Sequence, residues 1–503
     1  MRMLFLICIG ALLGVTLLPY LLFRQKELPP GTDLKSPGFS FNTARLLIDH
    51  TAWDASREAY VQTHRIFDTI LREIETAETF IIADFFLWNP WRGAVEPSGD
   101  LRPLAQELAD ALIKKRIDNP GMPILVITDP INRIYGDQDP HFYERMAAAN
   151  IPVIFTDLAQ LPDSNRLYAP QAAFWSQYLP SSDKRLVPNP FDAEGEKLTM
   201  PQLGRLLYFK ANHRKVLITG YREAAPRLLM GSFNPADGSA HHSNLAALVD
   251  GAVAIYAAHS ELRVADWSCA DPGQVQGGQA PAAAETIAAI RALLPEPDAL
   301  PTVPSVESSV AYRSEGAIRD ELVLQLNRAG QGDRIDAGIF YFSDRKVVAA
   351  LKEAVARGAQ VRLLMDANRD AFGRAKNGIP NRTVAAELIE AGGQIEIRWA
   401  ATHGEQFHAK VLRIQGAQQD LLFLGSANWT RRNLANLNLE ANLLFQNSPE
   451  LTREFDRYFE TLWANGAGNL ETQPYEEWAE SGWSLRWKTW VYRFQEWSGA
   501  STF

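Results

Sequence analysis

Two short strings recur in this chain and could do chemistry together. His213-Arg214-Lys215 is followed, sixteen positions after its lysine, by Gly231-Ser232-Phe233-Asn234. His408-Ala409-Lys410 is followed, fifteen positions after its lysine, by Gly425-Ser426-Ala427-Asn428. A chain with nine histidines yields one His-x-Lys easily, but two copies with the same trailing motif do not arise by accident. The imidazoles (His213, His408) offer a nucleophile and a proton carrier. The ammonium groups of Lys215 and Lys410 and the amides of Asn234 and Asn428 can hold the nonbridging oxygens of one phosphodiester. Ser232 and Ser426 either bind phosphate or shape the turn. Such a set meets the needs of phosphoryl transfer by positioning, charge neutralisation and an in-line covalent nucleophile, with no metal and no cofactor.

The spacing also says what must position these groups. Residues i and i+2 share one face of a strand, and Val216-Leu217-Ile218 and Val411-Leu412 continue each His-x-Lys as a strand. Gly-Ser-x-Asn follows Leu228-Leu229-Met230 and Leu422-Phe423-Leu424, at the carboxyl end of a further strand, where glycine permits close backbone approach to an anion. Upstream, helical spacing over Ile66–Ile74 and Leu101–Lys115 alternates with apolar strands at Phe80–Phe86 and Ile124–Ile127. The same order recurs as helix Ile318–Asn327, strand Ile335–Phe342, helix Val347–Val355 and strand Val361–Met365. The paired strands end at Asp129 and Asp366, each with a glycine seven residues on (Gly136, Gly373), which reads as a structural turn. This is an internal duplication of about 200 residues, too long for a solenoid repeat. It predicts two α/β sandwich lobes, at 61–270 and 306–465, joined by an Ala/Pro/Gly/Gln-rich linker over 271–305. Only the first lobe carries a long insertion, about 158–205, with Phe174, Trp175 and Tyr178; it is either a substrate wall or a surface excursion.

Composition bounds the partners. A formal charge of −9, from 50 basic and 59 acidic residues, disfavours a duplex nucleic-acid binder. The two cysteines, Cys8 and Cys269, give neither a disulfide framework nor zinc-type spacing. Leu4–Phe23 is an uncharged run of twenty residues, long enough to cross a bilayer core of ~30 Å. It predicts an amino-terminal transmembrane anchor (1–26), followed by a lead-in (27–60), with the catalytic part outside the cytoplasm. At the other end (466–503), Trp483, Trp487, Trp490, Phe494 and Trp497 form one stripe of a helix. The stripe either packs on the core or docks at a membrane interface.

The paired motifs resemble those of the phospholipase D superfamily, whose signature is His-x-Lys, then an Asp, then Gly-Ser-x-Asn. The resemblance spans about residues 60 to 465. It implies two lobes sharing one active site within a single chain, so that dimerisation is not required. It also implies a phosphohistidine intermediate and a membrane phospholipid substrate, as in phospholipase D or cardiolipin synthase-like enzymes. The family's Asp, five residues after each lysine, is replaced by Gly220 and Gln415. Glu440 lies twelve residues after Asn428, where the first half has Ala246 after Asn234. Family habit uses an acid here to orient a histidine. The resemblance therefore implies that Glu440 orients His408 as general acid and base while His213 attacks, with the reverse assignment as the alternative. A nuclease and a weakly catalytic membrane scaffold are the competing functions.

Overall fold

The computed structural model describes residues 16–54, 56–93, 101–134, 141–175, 178, 184–190, 196–304, 307–371, 374–417, 419–466 and 470–500. Gly136, Gly373 and Cys8 lie outside them. The first lobe runs β1 (Ala44–Asp49), α1 (Arg65–Thr76), β2 (Ile81–Phe85), α2 (Leu104–Asp118), β3 (Ile124–Thr128), α3 (His141–Ala148) and β4 (Val153–Phe155). After the insertion come β5 (Lys215–Thr219), β6 (Arg227–Gly231), β7 (Asn244–Asp250) and α4 (Ala252–Cys269). The second lobe repeats the order without the insertion. Its elements are β8 (Ser309–Ser314), α5 (Gly316–Arg328), β9 (Arg334–Ile339), α6 (Arg345–Ala356), β10 (Gln360–Met365), α7 (Asn381–Glu390), β11 (Ile395–Ala400), β12 (Lys410–Gln415), β13 (Asp420–Gly425), β14 (Ala441–Gln446) and α8 (Pro449–Trp463). The chain closes with β15 (Thr472–Pro474) and α9 (Gly482–Ser498).

The sheets have the same strand order. The first reads β1-β7-β6-β5-β2-β3-β4, and the second reads β8-β14-β13-β12-β9-β10-β11 with β15 added at its edge. In each, the strands joined by crossover helices pair in parallel and the rest pair antiparallel. A parallel pair needs a long crossover, which the helices provide.

Alternation along the strands divides the side chains between two cores. Val216 and Ile218 of β5 enter a cluster shared by both lobes, together with Val411, Leu422 and Leu443 of the second lobe. Leu217 faces the outer cluster of the first lobe, beneath α1 and α2. Leu412 and Ile414 of β12 do the same in the second lobe. The lobes are therefore joined through a buried apolar layer. The lead-in adds to this, since Lys35 and Phe39 bridge to Arg313 and Val310 of β8 before the chain enters β1. The 271–305 stretch contains a helix, Ala280–Ala292, whose Ala283, Ile287 and Ile290 are buried in the shared cluster.

The predicted transmembrane anchor is corrected. No described helix is long and apolar enough to cross a membrane. Within the apolar run, residues 16–22 are helical and residues 1–15 lie outside the described residues. This part of the chain instead lies along the insertion, with Tyr20 Oη donating to the Leu167 carbonyl at 2.8 Å and Gln171 Nε2 donating to the Thr16 carbonyl at 2.8 Å. The expected single-pass anchor, and the extracytoplasmic location inferred from it, have no support in the structure.

Because Ile287 is buried in the shared cluster, Ile287→Ala should cost about 2–5 kcal/mol of stability. Chemical unfolding would show this as a lower midpoint; a change below about 0.5 kcal/mol would mean that the helix is a surface passenger.

Candidate active site shared by the two lobes

Both His-x-Lys motifs sit where a strand begins. Lys215 opens β5 and Lys410 opens β12, and each histidine lies in the extended lead-in two residues before. The side chains of each motif share a face, as both lie against one aromatic ring. Phe86 is 4.7 Å from the His213 ring and 5.0 Å from Lys215 Nζ. Phe340 takes the equivalent place, 4.8 Å from the His408 ring and 4.8 Å from Lys410 Nζ.

The lead-ins pair across the lobes. Asn212 bridges in parallel to Leu439, and Phe407 bridges in parallel to Ser243. His213 N donates to the Leu439 carbonyl and His408 N to the Ser243 carbonyl, both at 2.9 Å. The strand-ending aspartates brace the same segments. Asp129 Oδ2 accepts from Asn212 N at 2.7 Å, and Asp366 Oδ2 accepts from Phe407 N at 3.0 Å. Each aspartate also closes its own turn, accepting from Ile131 N and Asn368 N respectively.

This exchange decides which residue orients which histidine, and it overturns the expected pairing. His213 Nδ1 lies 2.8 Å from Glu440 Oε1, so the carboxylate serves the histidine of the opposite lobe, not His408. His408 Nδ1 lies 3.0 Å from Asn244 Oδ1. Asn244 Nδ2 donates to the His242 carbonyl, which leaves Oδ1 as the acceptor. Both imidazoles therefore carry their proton on Nδ1 and present an Nε2 lone pair to the cleft. The first-half counterpart of Glu440 is thus Asn244 and not Ala246. The second half has two more residues between serine and orienting residue, accommodated by the helical turn Arg431–Leu434.

The serines are used to hold the orienting residues. Ser232 Oγ donates to Asn244 Oδ1 at 3.0 Å, and Ser426 Oγ donates to Glu440 Oε2. Asn433 Nδ2 donates to Glu440 Oε1, so three groups fix that carboxylate. Each serine hydroxyl is thus engaged with the residue that orients a histidine. Gly231 and Gly425 lie against the backbones of Ala246 and Asn442, where a Cβ would collide.

His213, His408, Asn234 and Asn428 all line one cleft of about 1240 Å³. The Asn428 Oδ1 atom is buried without a hydrogen-bond partner, whereas Asn234 Oδ1 accepts from Leu87 N at 3.4 Å. Lys215 and Lys410 lie deeper, and each Nζ donates to the carbonyl of its own histidine, at 2.6 and 2.8 Å. Burial pushes Lys215 down to about 7, against the opposing pull of Glu440, Asp84 and Asp129. Burial and the neighbouring Lys215 hold Lys410 well below the usual lysine range. Burial likewise lowers His213 to about 4, partly offset by Glu440, and pushes His408 well below its ordinary value with help from Lys410 and His242. Burial thus disfavours the charged forms of four groups crowded at one place, and a bound anion would favour those charged forms.

Several residues here carry no motif. Arg214, fully buried, pairs with Glu261 of α4 at 3.2 Å and with Glu315 of the second lobe at 2.7 Å. Glu315 Oε1 also accepts from Glu440 N at 3.1 Å. The equivalent second-lobe position is Ala409, which sits in the shared apolar cluster. His242 lines the cleft 6.0 Å from the His408 ring, while His241 stacks on Tyr60. Arg431 and Arg432 donate to the carbonyls of Glu496 and Gly499 at the end of α9. His50 pairs with Glu471, and His259 meets the Pro295 carbonyl, both away from the cleft. The insertion contributes Pro170, Phe174, Leu203 and Leu206 to the cleft wall.

Two α/β lobes of the same strand order thus meet at one cleft and exchange the residues that orient a pair of histidines. Residues 322–463 match the family model described as the PLD-like domain of cardiolipin synthase. Phosphatidylserine synthase from Haemophilus influenzae Rd KW20 superposes with a TM-score of 0.54 at 11% identity, over 93% of this chain and 96% of that one. That likeness is one of fold. Nuc, a phospholipase D family member from Salmonella typhimurium, aligns at 23% identity over 33% of this chain and 98% of that one, with a TM-score of 0.26. No curated protein matches the sequence. The family match thus lies within the second lobe, as a phospholipase D-like domain.

Glu440→Gln removes the charge beside His213 while keeping the shape, and should lower turnover by on the order of 10²-fold. Asn244→Asp adds a charge beside His408 and should move the acidic limb of the rate–pH profile upward. Unchanged rates and profiles in both would show that these contacts do not orient catalytic groups.

Proposed function

We propose that this protein is an enzyme that cleaves or transfers the phosphodiester of a glycerophospholipid through a phosphohistidine. The observation that carries the reading is the pair of imidazoles, each with Nδ1 tied to the other lobe and Nε2 free at one cleft. His213 Nε2 attacks phosphorus and the bond to the leaving alcohol breaks. His408 Nε2–H gives that alcohol its proton. Neutral His408 then takes a proton from water or an acceptor alcohol, whose oxygen attacks phosphorus, and the P–N bond to His213 breaks. His213 is the nucleophile because phosphorylation leaves its ring cationic, and Glu440 offsets that charge. His408, facing an uncharged amide, holds its proton less tightly and is the better donor. Arrival of the diester raises the His408 pKa, so that its charging is coupled to substrate binding.

A lipid substrate is supported by the cleft and by the family description. The cleft exceeds the usual ~300–1,000 Å³ of small-molecule pockets. Its outer wall, with Leu22, Phe23, Pro170, Phe174 and Leu206, is apolar enough for acyl chains. The cardiolipin synthase description of the matching domain and the phosphatidylserine synthase of similar fold both concern phospholipid.

With metal chelated, the protein should release or exchange the headgroup of a phospholipid such as phosphatidylglycerol. His213→Ala should abolish covalent labelling by a radiophosphorus-labelled lipid, and His408→Ala should slow turnover by ~10²–10⁴-fold. Cleavage of single-stranded DNA with no action on phospholipid would overturn the lipid reading. Turnover surviving both substitutions would overturn the mechanism.

Binding should also depend on pH. Lys215, held near 7 in the free site, is charged below that value, so a non-hydrolysable phosphodiester binds tightest there. Above pH 7 binding must take up a proton, and affinity should fall by up to about tenfold per pH unit. Titration calorimetry at several pH values measures this; an affinity that is flat from pH 6 to about 9 would show that Lys215 does not respond to the anion.

A further inference from the structure

We infer that the outward face of α9 seats this protein on an anionic lipid surface and brings the cleft mouth to that surface. The inference rests on the phospholipid reading above and adds how the substrate is met. An aromatic stripe usually packs inward, but this one does not. Trp483, Trp487, Trp490, Phe494 and Trp497 are 79%, 55%, 59%, 40% and 53% exposed. The rings from Trp487 to Trp497 form a continuous ridge, with centroids 5.3 Å apart for Trp487–Trp490, 5.7 Å for Trp490–Phe494 and 5.9 Å for Phe494–Trp497.

The helix cannot turn this ridge inward, because its other face is tied down. Tyr492 is fully buried in the core of the second lobe, Ser343 Oγ donates to Glu496, and Arg432 donates to the Gly499 carbonyl at 2.9 Å. Arg166 N also donates to the Ser498 carbonyl at 2.7 Å, joining α9 to the insertion.

Charge selects the partner. The exposed α9 positions include Arg486 and Arg493 among the aromatics and no acid, since Glu496 is buried. Tryptophan with arginine is the pairing suited to a lipid headgroup region, and the arginines favour an anionic one. Position supplies the second argument. Arg493 and Trp497 share a hollow with Tyr20, Phe23 and Pro170, and Phe23 and Pro170 also line the catalytic cleft. Leu22, 60% exposed, also lines the cleft. The ridge thus continues into the apolar mouth through which an acyl chain would pass. The protein would rest on the surface, not cross it.

The test uses the full chain with phosphatidylcholine vesicles, with and without phosphatidylglycerol, followed by flotation and tryptophan emission. The wild type should float with the anionic vesicles and shift its emission to the blue. Trp487→Ala/Trp490→Ala, and separately Arg486→Glu/Arg493→Glu, should weaken vesicle binding at least tenfold. Both should lower turnover of vesicle-borne phosphatidylglycerol and leave turnover of a monomeric short-chain analogue unchanged. Vesicle binding unaffected by either double substitution overturns the inference. Loss of self-association in place of vesicle binding also overturns it, making the ridge a contact between copies. A wild type inert towards both lipid forms counts against the functional reading alone, since binding is scored without turnover.

Discussion

The site depends on two short exchanges between the lobes. The segment leading to His213 pairs with the segment before Glu440, and the segment leading to His408 pairs with the segment before Asn244. Backbone groups buried at such a place need partners, and here most come from the opposite lobe. Neither histidine is oriented by its own strand alone. Isolated, each lobe would present an imidazole with a free Nδ1 and a lead-in braced only by its own aspartate. The shared apolar cluster therefore has a specific task, which is to hold two sheets so that hydrogen bonds near 2.9 Å form across their junction.

On this nearly symmetric scaffold a few substitutions impose direction. A site with equal histidines would have no preference for which nitrogen attacks. Here a carboxylate stands behind His213 and an amide behind His408, so positive charge is better tolerated on the first ring. Arg214 extends the asymmetry into the junction. Its guanidinium meets Glu315, which in turn receives the backbone N–H of Glu440. The carboxylate that orients His213 is thus linked to the ion pair that joins the lobes. Losing one partner of so buried a pair would leave an uncompensated charge, and so the junction and the chemistry are not independent.

Much of this was legible in the sequence, and what was not has a physical reason. The duplicated motifs and the alternating helices and strands led to two α/β lobes because periodicity is local. The turn role of Asp129 and Asp366 was legible for the same reason, although their bonds to the histidine lead-ins were not. The sequence marks Glu440 as an orienting acid, but not that it serves His213 in place of His408. Counting from Asn428 hides the longer turn, and no offset within a half reveals an exchange between halves. Matching the strands instead, Asn244-Leu245-Ala246 against Glu440-Ala441-Asn442, would have shown Asn244 as the counterpart. Phe86, Phe340 and Arg214 could not be found, since an aromatic ending a strand or an arginine beside a histidine has no distinctive spacing. The apolar run at Leu4–Phe23 was long enough for an anchor by composition, but composition does not report that its described end packs along the insertion.

The positions of the replaced aspartates lie at the far ends of the strands that open with the two lysines. Gly220 and Gln415 lie one strand length from the lysines, about 16 Å at 3.3 Å per residue. Gly220 is built into a turn, accepting from Glu78 N and Thr79 N at 2.8 and 3.1 Å, and a Cβ there would collide with Phe80. Gln415 ends β12 between Arg334 of β9 and Asp420 of β13. Nearby, Arg413 is paired with Asp456 and Asp420. The far ends of both strands are thus secured by backbone contacts and other ion pairs, without the missing carboxylates. All groups that could reach a phosphodiester lie at the opposite ends, where the lobes meet. A departure from the signature at the remote end changes how a strand is fastened, whereas one at the junction would change the reaction.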